Sequence, residues 1–301
     1  MTEYDVRTLE LAGGKVATLV KLAAENATKA ILYVHGWSDY FFQEHVAAHF
    51  TAQGYDFYAL DLRGYGRSLR DGDLPNFTLD ITEYFEELDA AAAKLHEDGH
   101  ERFVVMAHST GGLITPLWLN ERPDVKVDAL VLNSPWFELA EPGVMKGVGT
   151  SVVKLVGRIA PKLVLRKGLG PVYGQSIHRD HHGEWEFDLR MKPLMAFPVH
   201  AGWLRAIRLG HARLQQGLDI TAPVLILHSS RSHLHAKAWS QDAMVADTVL
   251  DVADMIKFGP GLGKNVTLVE ITDGLHDLFL SAEPVRTKAL AEVDAFLAKV
   301  S

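Results

Sequence analysis

Apolar residues along this chain fall into short runs that alternate with longer amphipathic stretches. The first run, KVATLVKL at 15–22, alternates apolar and polar positions as a half-buried strand does. KAILYVHG at 29–36 is continuously apolar and rich in branched and aromatic side chains, which predicts a strand buried on both faces. Further strands are predicted at 55–68, where the strand runs into a glycine-rich loop, at 102–109 and at 125–135.

Helical stretches separate these strands. Helical spacing of apolar residues occurs at 40–54, which ends in a glycine, at 79–99 and at 111–122. A last helix is predicted at 283–300. Strands and helices that alternate in this way are typical of a parallel sheet covered by helices on both faces.

The alternation stops after the strand at 125–135. Residues 136–219 hold no clear buried strand and are predicted to be largely helical and irregular, while strand character returns at 222–230 and 264–272. We therefore expect a sheet domain made of two pieces, 1–135 and 220–301, with the intervening segment inserted as a cap.

Composition narrows the class of protein. The 301 residues are 48% apolar, which is typical of a globular protein, and the formal net charge of −8 argues against a nucleic-acid-binding protein. The chain has no cysteine, which excludes disulfides, thiolate metal sites and a cysteine nucleophile. Neither a secretory signal nor a membrane-spanning run is recognised in the sequence, so we expect a cytoplasmic protein.

The stretch MAHSTGG, at 106–112, is the first candidate for chemistry. Ala107, Ser109 and Gly111 fit the small-x-Ser-x-Gly pattern of a nucleophile elbow, with alanine in the usual first glycine position. The motif lies between a predicted strand and a predicted helix, where such an elbow occurs. The alternative is a polar turn residue that caps the following helix.

A serine nucleophile needs a base to accept its proton. His276 lies in a short loop after the last predicted strand, at the place in the chain order Ser, acid, His where the base is expected. The alternative is an ordinary histidine of a surface loop.

The acid that would orient this base is less clearly marked. An aspartate is expected near residue 232, where the chain has Ser232 instead. Asp242, Asp247, Asp251 and Asp254 compete for the role. We favour Asp247, with Asp251 as the second choice, and either could instead cap a helix.

The sequence resembles the α/β-hydrolase superfamily, and within it the monoglyceride lipase and lysophospholipase-like branch, also called the serine aminopeptidase S33 type. The resemblance implies an α/β fold with a mostly parallel central sheet flanked by helices and a largely helical cap inserted after the sixth strand. An Asp-x-Val-hydrophobic-Asp stretch is common in this branch and supports Asp247 as the acid. Ala107 and the long segment before the acid depart from the family pattern. The matching stretches are YVHGWSDY (33–40), DLRGYGRS (61–68), AHSTGG (107–112), DTVLDVADM (247–255) and GLHDLFL (274–280).

Acyl transfer also needs donors for the oxyanion of its tetrahedral intermediate. One donor should be the backbone N–H of Thr110, directly after the serine. The resemblance assigns the second to the N–H of Trp37, in the loop after the strand at 29–36, and gives His35 the role of orienting this loop. Trp37, Tyr40, Trp136 and Phe137 are candidates for an apolar substrate pocket. The alternative for each is core packing.

Basic residues recur at four-residue spacing in the predicted cap. Lys154, Arg158, Lys162 and Arg166 alternate with apolar residues, which is typical of a helix that lies on an anionic membrane surface. We favour a cap helix whose apolar face covers the active site and whose charges are solvated. Pro161 is expected to kink or split this segment.

Histidines cluster at two places in the second half of the chain. The spacing His178-x-Asp180-His181 and the stretch at 228–235 could supply metal ligands. Ser109 and its proposed base and acid already account for the chemistry, so we expect no metal and no cofactor.

The function predicted is a serine carboxylester hydrolase that acts on a medium-sized small-molecule ester, such as a monoacylglycerol or a lysophospholipid. A proline-iminopeptidase-like aminopeptidase is the first alternative, and it would need cap carboxylates such as Glu184 and Glu186 for the substrate amine. A non-catalytic ligand-binding protein on the same fold is the second alternative.

Overall fold

The computed structural model describes residues 4–140 and 150–300. Ten strands lie within these ranges: β1 (Asp5–Glu10), β2 (Val16–Leu22), β3 (Lys29–Val34), β4 (Tyr55–Asp61), β5 (Phe103–His108), β6 (Val127–Asn133), β7 (Val164–Arg166), β8 (Val199–His200), β9 (Val224–Ser229) and β10 (Val266–Ile271). The α-helices are α1 (Glu44–Thr51), α2 (Phe85–Glu97), α3 (Gly111–Glu121), α4 (Thr150–Ile159), α5 (Val172–Ile177), α6 (Ala201–Leu214), α7 (Val252–Phe258) and α8 (Glu283–Val300).

Eight strands form one sheet in the order β1-β2-β4-β3-β5-β6-β9-β10. All neighbours from β4 to β10 pair in parallel, while β2 pairs antiparallel with both β1 and β4. Every residue of β4 and β5 is buried, because α2 and α3 cover one face of the sheet and α1 and α8 cover the other. The predicted α/β class with a mostly parallel sheet is confirmed.

Two elements differ from the sequence prediction. The edge strand β1 was not predicted, because most of its side chains are exposed and it lacks an apolar pattern. The helix predicted at 40–54 begins only at Glu44. Residues 40–43 have no regular secondary structure, and the backbone N–H of Phe41 donates to the carboxylate of Asp61.

The segment between β6 and β9, at 136–219, is called the cap segment below. Its described part contains α4, α5 and α6, and β7 pairs antiparallel with β8 in a separate two-stranded sheet. Helix α4 packs closely on α6 at Gly157, where a Cβ atom would lie 2.5 Å from the carbonyl oxygen of Ala201.

The basic segment is split near Pro161, as expected from the sequence, so its four basic residues do not form a stripe along one helix. Helix α4 ends at Ile159, two residues before Pro161, because the residue before a proline disfavours the helical conformation. Lys154 and Arg158 are therefore on α4, whereas Arg166 is in β7. Within the described ranges, no helix is long and apolar enough to cross a membrane.

Candidate active site

Ser109 directly follows the carboxyl end of β5 and lies two residues before α3 begins. Its φ of +51° is in the left-handed region, which is strained for a residue with a side chain. Its N–H donates to the carbonyl of Asn133, and its own carbonyl accepts from the N–H groups of Gly112 and Trp136. The turn is thus fixed by backbone bonds to β6 and to the chain that follows β6.

Small residues around Ser109 allow the strand, the turn and the helix to pack closely. A Cβ atom on Gly111 would lie 2.6 Å from the carbonyl oxygens of Val34 and His35. A Cβ atom on Gly36 would lie 3.0 Å from the Cβ of Ser109. Ala107 is wholly buried in β5. The local sequence therefore permits a sharp turn that brings Ser109 beside the loop after β3.

His276 connects Ser109 to Asp247. Its Nε2 lies 3.0 Å from the Ser109 Oγ, and its Nδ1 lies 2.8 Å from the Asp247 Oδ2. All three side chains are buried. With the Nδ1 proton donated to the carboxylate, the imidazole Nε2 is free to accept the proton of the serine hydroxyl, as acyl transfer requires.

Asp247 is positioned by the backbone around it. Its Oδ1 accepts hydrogen bonds from the N–H groups of Val249 and Leu250, both at 2.8 Å, which leaves Oδ2 for His276. Asp247 also forms an isolated parallel bridge with Ser232. Residues 233–246 therefore make an excursion, after which the chain returns to the position where an aspartate was expected.

The competing aspartates have other roles or locations. The carboxylate of Asp251 accepts from the N–H of Ala253 and caps α7. Asp242 is exposed, and Asp254 lies within α7. Among the four candidates, only Asp247 is hydrogen-bonded to His276.

The two backbone donors expected from the sequence belong to residues that line the same cavity as Ser109. Within the described ranges, the N–H groups of Trp37 and Thr110 have no hydrogen-bond partner in the protein. His35 fixes the chain before Trp37: its Nε2 accepts from the Leu62 N–H at 3.1 Å, so its Nδ1 donates to the Gly36 carbonyl at 2.7 Å. Burial lowers the pKa of His35, which keeps the imidazole neutral in this role.

A cavity of about 660 Å³ opens above Ser109 and His276, between the ends of the strands and the cap segment. Trp37 and Trp136 line it, as expected from the sequence. They flank Trp203 of α6, with ring centroids 4.9 Å and 5.8 Å from its ring.

Tyr40 and Phe137, the other two pocket candidates, are not among the residues that line the cavity. Tyr40 is buried, and its hydroxyl accepts the N–H of Asp188. Phe137 is wholly enclosed in the hydrophobic core. Their assignment to substrate binding is wrong because packing occupies both side chains.

Several lining residues come from the cap segment and were missed. They include Tyr173, whose ring lies edge-on to His276 with the centroids 5.4 Å apart, Lys192 and Trp203. Burial, with a further contribution from the charge of Asp277, raises the pKa of Tyr173 well above its ordinary value, so its hydroxyl stays protonated. No spacing in the cap segment distinguished these residues from ordinary packing residues.

The clustered histidines make local contacts. The Nδ1 of His178 accepts the N–H of Asp180, and the ring of His182 stacks on Trp239. In the part of the chain that the structure describes, no group of three or more histidine and acidic side chains is arranged to hold a metal ion.

Comparisons with known proteins agree with this architecture. The model of the family described as serine aminopeptidase, S33, matches residues 25–281. A monoacylglycerol lipase of Mycolicibacterium smegmatis is 28% identical over 249 residues, which cover 77% of this chain and 79% of that protein.

Solved structures show the same fold. A soluble variant of the Saccharomyces cerevisiae monoglyceride lipase, in complex with a substrate analogue, superposes with a TM-score of 0.74 at 17% identity, over 100% of this chain and 96% of that one. The monoacylglycerol lipase of Paleococcus ferrophilus has a TM-score of 0.71 at 20% identity, over 94% of this chain and 98% of that one.

Proposed function

The chain belongs to the serine aminopeptidase S33 family, and from this premise we propose that it is a serine carboxylester hydrolase that uses Ser109, His276 and Asp247. The coarser class, an ester hydrolase, is supported by the family and by the monoacylglycerol lipases among the relatives. The observation that carries the finer proposal is the continuous hydrogen-bonded path from Asp247 through His276 to Ser109, at the floor of a large cavity.

The geometry suits a two-step reaction. The Ser109 hydroxyl attacks the ester carbonyl while its proton passes to the His276 Nε2, and Asp247 stabilises the imidazolium that forms. The N–H groups of Trp37 and Thr110 hold the oxyanion, and the loss of one such donor typically costs about 3 kcal/mol of transition-state stabilisation. His276 then protonates the leaving alcohol, and later it activates the water that hydrolyses the acyl-enzyme.

The cavity supports a medium-sized ester as the substrate. Its volume of about 660 Å³ lies within the range of small-molecule sites, and its walls are largely apolar and aromatic. We propose a monoacylglycerol, a lysophospholipid or a similar ester, with the acyl chain held between the cap segment and the ends of the strands. The division into a sheet core at 1–135 and 220–301 and a cap at 136–219 is part of the proposal.

A series of p-nitrophenyl esters from C2 to C16 tests it. The wild type should hydrolyse these esters, and Ser109→Ala should lower kcat by at least about 10⁴-fold, because the nucleophile is removed. Ser134→Ala is the matched control: Ser134 is also buried, follows β6 and has a φ of +47°. Equal activity of Ser109→Ala and the wild type would refute the assignment of the nucleophile.

The aminopeptidase alternative finds little support in the cap carboxylates. Glu184 pairs with Arg286 and Glu186 pairs with Arg179, and neither glutamate lines the cavity. Turnover of prolyl-p-nitroanilide without turnover of any ester would favour the peptidase, and turnover of neither would favour the ligand-binding protein.

We also propose that the cap segment contacts anionic membrane surfaces, although the sequence favoured a cap helix whose apolar face covers the active site, because three apolar side chains of α4 are exposed. Helix α4 exposes Val152, Leu155 and Ile159, at 56%, 60% and 73%, on positions three and four residues apart, and Lys154 and Arg158 are on the same helix. Exposed apolar side chains beside basic ones suit an interfacial helix.

Sedimentation with vesicles that contain phosphatidylglycerol tests this contact. The wild type should co-sediment at low salt, and Leu155→Ser with Ile159→Ser should not, while both turn over a short soluble ester at the same rate. Ile256→Ser removes an apolar side chain of α7 that is 50% exposed and is the control that should still bind. Absence of wild-type binding at low salt would exclude the membrane contact.

A further inference from the structure

The loop that carries the Trp37 N–H is tied to one short stretch of the cap segment, residues 188–197. Three bonds make the connection. The Nζ of Lys192 lies 2.7 Å from the Asp39 Oδ1, the N–H of Phe197 donates to the Ser38 Oγ at 3.1 Å, and the N–H of Asp188 donates to the Tyr40 hydroxyl at 2.8 Å. Three consecutive residues of the loop, directly after Trp37, thus each have a partner in the cap segment.

The ion pair between Lys192 and Asp39 is buried. The two side chains are 8% and 2% exposed. Burial raises the pKa of Asp39, but the charge of Lys192, the neighbouring His108 and His35 and the hydrogen bond from Lys192 together outweigh burial. They hold that pKa below its ordinary value, so the carboxylate is ionised. The second carboxylate oxygen of Asp39 accepts the N–H of Gly36 at 3.3 Å. Asp39 therefore connects Lys192 to the backbone on the other side of Trp37.

Backbone strain indicates that the loop needs these ties. Ser38 has a φ of +52°, and Ala196, beside Phe197, has a φ of +60°. Residues with side chains persist in this left-handed region only where their surroundings hold them. Of the bonds to Ser38, the core supplies one, from the Ser38 N–H to the Asn76 Oδ1 at 3.1 Å, and the cap segment supplies the other.

We propose that Lys192 is a positioning residue for the reaction: through Asp39 it fixes the orientation of the Trp37 N–H, so that the oxyanion site is complete only while residues 188–197 lie against the loop. This inference rests on the proposed function, because the orientation of that N–H matters only if an oxyanion forms at Ser109. A buried ion pair is a weak source of net stability, and its best-attested use is to specify one geometry.

Lys192→Met is the central test. When the serine adds to a trifluoromethyl ketone, the carbonyl oxygen of the ketone becomes an oxyanion, so the affinity for this inhibitor reports on the oxyanion site. An ether of the same chain length has no carbonyl and reports on ground-state binding alone. We expect kcat for p-nitrophenyl butyrate to fall about 10- to 100-fold and the Ki of the ketone to rise by a similar factor. The KM and the Ki of the ether should stay within about twofold.

Three further variants separate positioning from folding. Asp39→Asn combined with Lys192→Met leaves no unpaired buried charge and should show the same loss of ketone affinity. Lys192→Arg should restore most of kcat. Ser38→Ala keeps both charges, removes the acceptor of the Phe197 N–H and should show a smaller loss of the same kind. Arg190→Met is the matched control: it removes a cation from the same stretch, paired with Asp188 but 88% exposed, and should leave kcat unchanged.

The possible outcomes are distinct. A kcat of Lys192→Met within about twofold of the wild type, or equal losses for the ketone and the ether, would overturn the inference. An increase in KM alone would make Lys192 a substrate-binding residue instead. Failure of the proposed function would appear differently, as a wild type that neither turns over the ester nor binds the ketone more tightly than the ether.

Discussion

The central sheet and the cap segment differ in how much of their apolar surface is exposed. Strands β4 and β5 bury every residue. In contrast, nine of the twelve large apolar side chains that stand out as exposed in the described ranges belong to the cap segment: Val152, Leu155, Ile159, Leu163, Val164, Leu165, Leu169, Leu189 and Met195. The proposed reacting groups belong to the tightly packed sheet region, and most of the exposed apolar surface belongs to the cap segment.

The two regions are expected to influence different properties of the reaction, its rate and its choice of substrate. Ser109 and Asp247 are held by backbone hydrogen bonds to neighbouring strands and loops. The cap segment contributes one of these bonds, from the N–H of its first residue, Trp136, directly after the sheet. Tyr173, Lys192 and Trp203 reach the cavity from the cap segment. Changes in the sheet should therefore affect kcat for every substrate. Changes in the cap should mostly affect which substrate is preferred, except at Lys192, whose contact with Asp39 is expected to act on kcat through the loop that carries Trp37.

The largest expected effect tests the sheet side. Asp247→Asn should lower kcat by about 10⁴-fold, because an amide at this position does not hold the correct tautomer of His276 or stabilise its charged form. Asp251→Asn, at the helix cap, should leave kcat unchanged and change the free energy of unfolding by less than about 1 kcal/mol, since asparagine also caps helices well. Ester kinetics and urea unfolding of both variants make the comparison. Equal kinetic losses would show that the hydrogen bond to His276 is not what matters.

An intermediate effect tests the cavity wall where the two regions meet. Trp136→Ala should raise KM for long acyl esters by about tenfold, because the indole no longer covers apolar chain atoms, while KM for the acetate should change little. Trp239→Ala, which removes an indole that does not line the cavity, is the control. The C2 to C16 ester series measures both variants. An equal increase for acetate and for long chains would contradict the assignment of Trp136 to the acyl site.

The smallest effect concerns the response of the packed region to acid. Burial lowers the pKa of both His35 and His108 below the value near 6.5 of an unfolded histidine. Below that pH these histidines bind protons in the unfolded chain but not in the folded chain. Their contribution to the free energy of unfolding is therefore complete above pH 6.5 and is lost as the pH falls. The free energy of unfolding should drop by up to about 1.4 kcal/mol per pH unit for each histidine.

Urea unfolding between pH 7 and pH 5 measures this slope. His108→Asn should reduce it, whereas His181→Asn, on an exposed histidine of the cap segment, should leave it unchanged. A slope that is the same in the wild type and His108→Asn would exclude burial of that imidazole as its cause.

Much of the architecture could be predicted because the central strands are uniformly apolar. The strand positions, the parallel sheet and the location of Ser109 and His276 after strand ends follow from local patterns that lie within about ten residues of each other. The edge strand β1 carries no such pattern, since most of its side chains face solvent. Tyr40 and Phe137 show the converse limit: aromatic residues near a site look alike in sequence whether they line a cavity or pack beneath it.

The acid and the cap residues depend on long-range geometry. Apart from the family resemblance, no local pattern separates Asp247 from Asp251. In the structure the chain returns beside Ser232 at Asp247, whereas it begins a helix at Asp251. Lys192 lies 153 residues from Asp39 along the chain, so no motif links them. A spacing rule cannot detect a partner that only the folded cap brings into contact.

The bridge between Ser232 and Asp247 places two positions that are far apart in sequence side by side in the fold, and the proposed acid could be supplied from either. Because the backbones of residues 232 and 247 are paired, an aspartate at either position would start from nearly the same place in the fold. The residues between them lie outside the sheet, and Leu234, His235, Ala236 and Lys237 line the cavity, so a change in the length of this excursion would alter the cavity wall rather than the sheet. In this chain, counting residues from the end of β9 leads to Ser232 and misses the proposed acid. The residue that returns to pair with Ser232 is Asp247, which is hydrogen-bonded to His276.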